Sequence, residues 1–226
     1  MIRKLTIRGF KSIRSAEVPF GPLTALIGAN ASGKSNLLDG LRVVQGLALG
    51  HTVRDVFDGR HEEVTQKRWP GVRGGCKYAC WMPASGGPAA NTVEVEVEFD
   101  VDGDVVLWSI GLDPYNGVLT SESLRSANNT GDEYYQAVRE AQPLTANPYI
   151  MAHVRKAKGE GRAFPRRYSP HEAILGQLER DQDFSRSIAF FAAKANKALS
   201  DLQFLDASPM LLRGYENPGA RRMGDR

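Results

Sequence analysis

Gly28-Ala29-Asn30-Ala31-Ser32-Gly33-Lys34-Ser35 fits the pattern G-x-x-x-x-G-K-[ST] at every fixed position. The glycines let the backbone curl until successive N–H groups converge on a polyphosphate, and a helix that follows adds the positive end of its dipole. Lys34 extends an ammonium toward the β and γ phosphates of a nucleoside triphosphate, and Ser35 offers its hydroxyl to a magnesium ion bridging them. ATP and Mg2+ are the expected ligands, with Lys34 the expected catalytic cation and Ser35 the expected metal ligand. Average residue frequencies yield such an octapeptide by chance in fewer than about one chain in a hundred of this length.

The flanks supply the context that the chemistry requires. Leu23-Thr24-Ala25-Leu26-Ile27 is a nearly continuous apolar run and predicts a strand, buried on both faces, that ends at Gly28. Behind the loop, Leu37, Leu38, Leu41, Val44, Leu47 and Ala48 recur at three- and four-residue intervals. That stripe predicts an amphipathic helix from Lys34 to near Gly50.

Further out, Lys4-Leu5-Thr6-Ile7-Arg8 alternates like a strand with one buried face, and Gly9-Phe10 turns the chain. The stretch from His51 to Ala90 has no sustained period and reads as loops with one short strand. Val93, Val95, Val97, Phe99 and Val101 then alternate strictly with Glu94, Glu96, Glu98 and Asp100. This predicts a strand whose acids are the wet face of a sheet edge rather than a metal site. Asp102-Gly103-Asp104 supplies a turn into a returning strand carrying Val106, Trp108, Ile110 and Leu112, and a third strand spans Val118 to Leu124. Ser126 to Thr145 and Ala152 to Arg167 read as surface segments. Between Asp183 and Leu202, a stripe of Phe184, Ile188, Phe191, Ala195, Leu199 and Leu202 predicts a late helix ended by Ser208-Pro209.

Composition bounds the answer. A chain of 226 residues with 42% hydrophobic content suffices for one domain with an insertion. Its 29 Lys and Arg against 26 Asp and Glu leave a formal charge of +3, too small to argue for a nucleic-acid or membrane partner by itself. Cys76 and Cys80 are too few for a disulfide framework and have no second pair for zinc, so structural thiols are expected. No signal-like leader opens the chain, and no apolar stretch approaches the roughly 18 residues of a membrane span, so a cytoplasmic protein is expected.

The elements add up to an α/β fold of the P-loop NTPase type, with a central mixed sheet and the phosphate loop after a buried strand. An antiparallel β-meander is inserted at 92–124 and helices follow at 170–205. One domain spans 1–226, with its strand, loop and helix core in 1–50.

Met1-Ile2-Arg3-Lys4-Leu5-Thr6-Ile7-Arg8-Gly9-Phe10-Lys11-Ser12-Ile13, followed by Gly28 to Leu38, resembles the start of SMC, RecF and OLD-like ATPases of the ABC type. Thr120-Ser121-Glu122-Ser123-Leu124, and Phe204-Leu205-Asp206-Ala207-Ser208-Pro209 with Leu212-Arg213-Gly214-Tyr215, are similar to pieces of AAA-type ATPases of the same group in bacterial defence and toxin systems. The N-terminal resemblance covers about forty residues, and the later pieces are shorter. It implies an ABC-ATPase head-like fold, with Lys11 and Ser12 close to the nucleotide and Asn36 opening the helix behind the magnesium ligand. A solvated surface lysine is the other reading of Lys11. Such ATPases carry a glutamine that senses magnesium and the γ phosphate. Gln177 is the position that fits first and Gln66 second, while an ordinary helix-surface glutamine is the plainer reading of both.

The departures matter equally. After Ser35 there is no Leu-Ser-Gly-Gly-like signature segment, and no four apolar residues lead into Asp-Glu. The expectation is a chain that stops midway through an ATPase and binds nucleotide far better than it hydrolyses it. The resemblance implies two heads sandwiching ATP, as a homodimer or with a second ATPase half, coupled to DNA handling or to a nuclease or toxin effector, with no membrane partner. Arg155, Lys156, Lys158, Arg162, Arg166 and Arg167, opposed by Glu160, read either as a solvated loop or as a DNA contact flanked by Phe164 and Tyr168.

Overall fold

Period-two alternation organises most of this molecule. A computed structural model describes residues 1–61, 68–85, 90–127, 133–139, 148–156, 161–181 and 184–203. Strands β1 (Ile2–Phe10) and β2 (Ile13–Pro19) precede helices α1 (Lys34–Ala48) and α2 (Val53–Asp58). A small hairpin, β3 (Arg60–His61) with β4 (Arg68–Trp69), and a 3-10 turn (Cys76–Tyr78) lead into a meander. The meander comprises β5 (Val93–Val101), β6 (Asp104–Asp113), β7 (Val118–Ser126), β8 (Glu133–Val138), β9 (Ile150–Val154) and β10 (Phe164–Tyr168). Helices α3 (Ile174–Arg180) and α4 (Arg186–Ser200) follow.

One sheet holds eight strands in the order β10-β9-β8-β7-β6-β5-β1-β2. Every pairing in it is antiparallel, which corrects the expected mixed sheet. The strand expected at Leu23–Ile27, buried on both faces, is not part of the sheet. That run forms no strand; Leu23 is 85% and Ile27 91% exposed. A strand buried on both faces needs a neighbour at each edge, and pairing is a non-local event that apolar content alone cannot supply. Among the described residues the sheet ends at β2, so the run has nothing to pair with.

β5 is not an edge strand either: it lies between β1 and β6. Its acids face the cations of β1 in register, Glu94 opposite Arg8 and Glu98 opposite Lys4. Arg8 approaches Glu94 at 3.7 Å and Arg3 approaches Asp100 at 2.7 Å. These surface pairs set register more than they stabilise. The turn to β6 works as the sequence suggests, because Asp102 (φ 52°) and Gly103 (φ 85°) both take the positive φ of a two-residue hairpin. The two segments read as surface loops instead supply β8, β9 and β10. Their alternation is confined to runs of five or six residues, too short to stand out from the polar stretches around them.

The inner face carries the core: Val95, Val97 and Phe99 of β5, with Trp108, Ile110 and Leu124, lie under α1 and α4. The stripes predicted for both helices are the buried ones, Leu37, Leu41, Val44 and Leu47 on α1 and Ile188, Ala195 and Leu199 on α4. α4 begins with a Ser185 side-chain cap on Ile188 N–H, and its Phe191 stacks on Tyr134 at 4.3 Å.

A carboxylate is also buried within this core. Glu122 on β7 accepts hydrogen bonds from Trp108 Nε1 (2.9 Å), Tyr135 Oη (2.6 Å) and the backbone N–H groups of Ile174 (2.6 Å) and Leu175 (3.0 Å). It joins the sheet to the start of α3. Burial nevertheless pushes its carboxyl above the ordinary glutamate range against the pull of these donors.

Candidate functional site

The phosphate loop leaves the sheet and closes on the N-terminus of α1. Ala31 (φ 63°) and Gly33 (φ 94°) take left-handed backbone, the curl that turns consecutive N–H groups inward. For Ala31 this costs roughly 1–2 kcal/mol, strain of the kind stored at ligand-binding turns. Gly28 keeps the loop tight: a Cβ there would sit 2.9 Å from Ser32 Oγ, which would have to turn away. α1 has no side-chain cap, since Gly33 occupies the cap position. Its first paired N–H groups are those of Asn36 and Leu37, both to the Gly33 carbonyl. An uncapped helix start behind a left-handed turn is an anion-binding arrangement.

Lys34 folds across this loop. Its ammonium donates to the carbonyl oxygens of Gly28 (2.6 Å) and Ala29 (2.5 Å) and lies 3.4 Å from Ser32 Oγ. It therefore sits on the ring of backbone that a phosphate would enter. Ser35 is exposed at the first turn of α1.

Lys11 and Ser12 form the two-residue turn between β1 and β2, Phe10 pairing with Ile13. Ser12 Oγ accepts from Asn36 Nδ2 at 2.7 Å, which ties that turn to the first turn of α1. The solvated reading of Lys11 falls: its side chain is 9% exposed and its ammonium lies 2.5 Å from Asp39. Asp39, 1% exposed on α1, also receives Arg42 at 3.2 Å and Arg73 at 3.1 Å. Three cations on one carboxylate leave an excess of positive charge beside the loop.

A cleft of about 470 Å3 opens there, lined by Lys11, Ser12, Asn36 and Arg73, with Tyr78 and Met82 on its far side. Its far wall is held in place by main-chain bonds. Lys11 N–H donates to the Ala79 carbonyl and Trp81 N–H to the Gly9 carbonyl, both at 2.8 Å, while Asp58 accepts from Cys76 N–H at 2.8 Å. Cys76 and Cys80 are free thiols, and Cys80 lines the cleft. Burial and the neighbouring Asp58 push Cys76 up to about 12, so the thiol form prevails.

Gln177 is not drawn to the loop by any of its bonds. Its amide is spent on the chain before α3, accepting from Ser169 N–H and donating to the carbonyls of Ser169 and Glu172, at 2.9–3.0 Å. Gln66 and the segment Phe204 to Tyr215 lie outside the described residues, as do Lys158 and Glu160. Of the other cations in the basic run, Arg166 pairs with Asp181 at 2.8 Å, Lys156 lies 5.1 Å from the Phe164 ring, and Arg167 lies 6.0 Å from the Tyr149 ring. Aromatics are thus interleaved with the charges, which the linear sequence hid.

Asp39, Arg73 and Tyr78 went unnoticed in the sequence. Asp39 had a signal, a lone acid among the apolar positions of α1. Arg73 and Tyr78 had none, sitting in the aperiodic stretch before β5.

Residues 1–58 match the family model described as an AAA ATPase domain. A segment of 46 residues is 35% identical to the OLD nuclease of Thermus scotoductus, covering 20% of this chain and 9% of that protein. A segment of 55 residues is 42% identical to the chromosome partition protein Smc of Halothermothrix orenii, covering 24% of this chain and 5% of that one. The chain is thus similar to an AAA ATPase domain over its first 58 residues, and it matches less than a tenth of the length of either relative. Among the described residues no helix is long and apolar enough to cross a membrane.

Proposed function

We propose that this chain binds ATP with Mg2+ through Gly28–Ser35 and is the nucleotide-binding lobe of an ATPase of the SMC, RecF and OLD-like kind. The observation that carries the reading is the conjunction of a left-handed Ala31 and Gly33, an uncapped α1, and Lys34 folded over the loop. In this reading the N–H groups of the loop cradle the phosphates, Lys34 swings from its carbonyls onto the β and γ phosphates, and Ser35 Oγ takes the metal. Lys11 and Ser12 line the same mouth, and Asn36 holds the turn that carries them.

The open run Leu23–Ile27 supports a composite enzyme. Ahead of the loop Leu23 and Ile27 lie exposed while Leu26 is half-buried against the core, as expected of a strand completed by further sheet from another part or another polypeptide. ATP would then close two heads, and that closure would drive DNA handling or gate a nuclease or toxin partner in the cytoplasm. Gln177 would join the metal only by giving up three hydrogen bonds.

A second reading is a nucleotide-binding regulatory module without hydrolysis. It is favoured by Asp39, whose oxygens are occupied by three cations and activate no water. Calorimetric titration of ATP with and without Mg2+, on the chain and on Lys34→Ala, tests the binding claim, and phosphate release in the same samples separates the two readings. Saturable binding lost in Lys34→Ala is the expected result; no binding by the unaltered chain would sink the proposal.

A further inference from the structure

We infer that the cleft beside Asn36 receives the base of the bound nucleotide, with Tyr78 as its stacking surface and Arg73 as its polar contact. The inference rests on the phosphate-loop reading and deepens it.

Continuity comes first. Ser12 Oγ would lie 3.9 Å from a Cβ at Gly33, and it holds Asn36 at 2.7 Å, so one residue borders both the loop and the cleft. A nucleotide whose phosphates enter the loop must send its remaining half somewhere, and this opening adjoins the loop. At about 470 Å3 it falls within the range of small-ligand sites, roughly 300–1,000 Å3.

Its far wall suits a flat, weakly polar ring. Tyr78 is 55% and Met82 63% exposed, both among the larger apolar side chains left open to solvent. An aromatic ring and a thioether, each adaptable to a π face, stack and slide against a base without demanding fixed hydrogen bonds. Tyr78 is positioned rather than loose: it ends the 3-10 turn, a Cβ added at Gly74 would come within 3.1 Å of its Cβ, and Lys77 Nζ is 5.3 Å from its ring centroid.

Arg73 supplies direction. Its Nε and one terminal nitrogen rest on Asp39 at 3.3 and 3.1 Å, while 62% of the side chain stays open. Asp39 thereby acts as a positioning residue. A guanidinium carries donors alone, so it favours a base edge with acceptors, and a two-ring base offers more stacking area than a one-ring base. A purine nucleoside triphosphate is the ligand class that fits.

The test compares ATP, CTP and inorganic tripolyphosphate, each with Mg2+, by calorimetry on the full chain, Tyr78→Ala, Tyr78→Phe and Lys34→Ala. The expected result is ATP binding tighter than tripolyphosphate. Tyr78→Ala should weaken ATP about 5- to 20-fold while leaving tripolyphosphate unchanged, and Tyr78→Phe should keep the preference. If Lys34→Ala abolishes binding but Tyr78→Ala leaves ATP and tripolyphosphate alike, the phosphate loop stands and this inference is overturned. If the unaltered chain binds none of the three, both fall. A urea midpoint for Tyr78→Ala equal to that of the parent shows that the loss is not unfolding.

Discussion

Two buried carboxylates, Asp39 and Glu122, solve the same physical problem in opposite ways. Glu122 takes four donors, two indole and phenol groups and two backbone N–H groups, none of them charged, and stitches β7 to α3. Asp39 takes three cations, two of them on the wall of the cleft beside the Gly28–Ser35 loop, and leaves Arg73 mostly in solvent. Neutral donors close a network and leave nothing over. Cations on a single acid leave charge over, and that surplus faces the loop. The first arrangement is scaffold, and the second leaves a positive surface suited to an anion.

The contrast breaks most visibly at Glu122. Glu122→Ala strands an indole N–H, a phenol and two backbone donors in the core, and should cost about 3–5 kcal/mol in a urea titration. Nucleotide affinity of the molecules that remain folded should not change. Asp39→Ala should cost about 3 kcal/mol, the low end for a buried charge left unpaired, because only Lys11 is left buried. It should also lower ATP affinity, through loss of the hold on Arg73. Equal stability losses with no change in affinity would erase the distinction.

A finer test uses pH. Burial raises the Glu122 carboxyl, so the folded state holds its proton more firmly than the unfolded chain does. More protons bound to the folded state means that this group's contribution to stability falls as pH rises from the ordinary glutamate value to the raised one, then levels off. Glu122→Gln should flatten that part of the stability profile. The smallest expected effect is on the stability of Lys34→Ala, within about 0.5 kcal/mol of the parent, since Lys34 bonds only to its own loop. A large loss there would mean that the loop is part of the scaffold.

These differences track what the sequence could reveal. The loop, α1, the β5–β6 hairpin, β7 and α4 were legible because each is specified within its own residues: a motif, a period, a turn pair. The strand expected at Leu23–Ile27 failed because a strand is specified by its neighbours. The acids of β5 were assigned to an edge for the same reason; what covers them is β1, far away in sequence. Glu122 stood in plain view, since alternation with Leu124 puts it on the buried face, but its donors come from three other elements. Tyr78 and Arg73 lie in a segment with no period, held by backbone bonds to Gly9 and Lys11 and by Asp58 and Asp39.

The sheet topology also has a kinetic side. From β5 to β10 each strand pairs with the next one along the chain, so hairpins can close over short loops at small entropic cost. β1 joins β5 across a long excursion, Arg3 meeting Asp100 at a separation of 97 residues. Contacts of that span form late in two-state folding. We therefore expect conservative substitutions at Leu5 or Ile7 to speed unfolding while leaving the folding rate nearly unchanged, in contrast to substitutions at Trp108 or Leu124; the reverse pattern in stopped-flow measurements would refute that order. The strand that carries the Lys11–Ser12 turn, on which the proposed nucleotide site is built, is in this order of events the last to be assembled and the first to open.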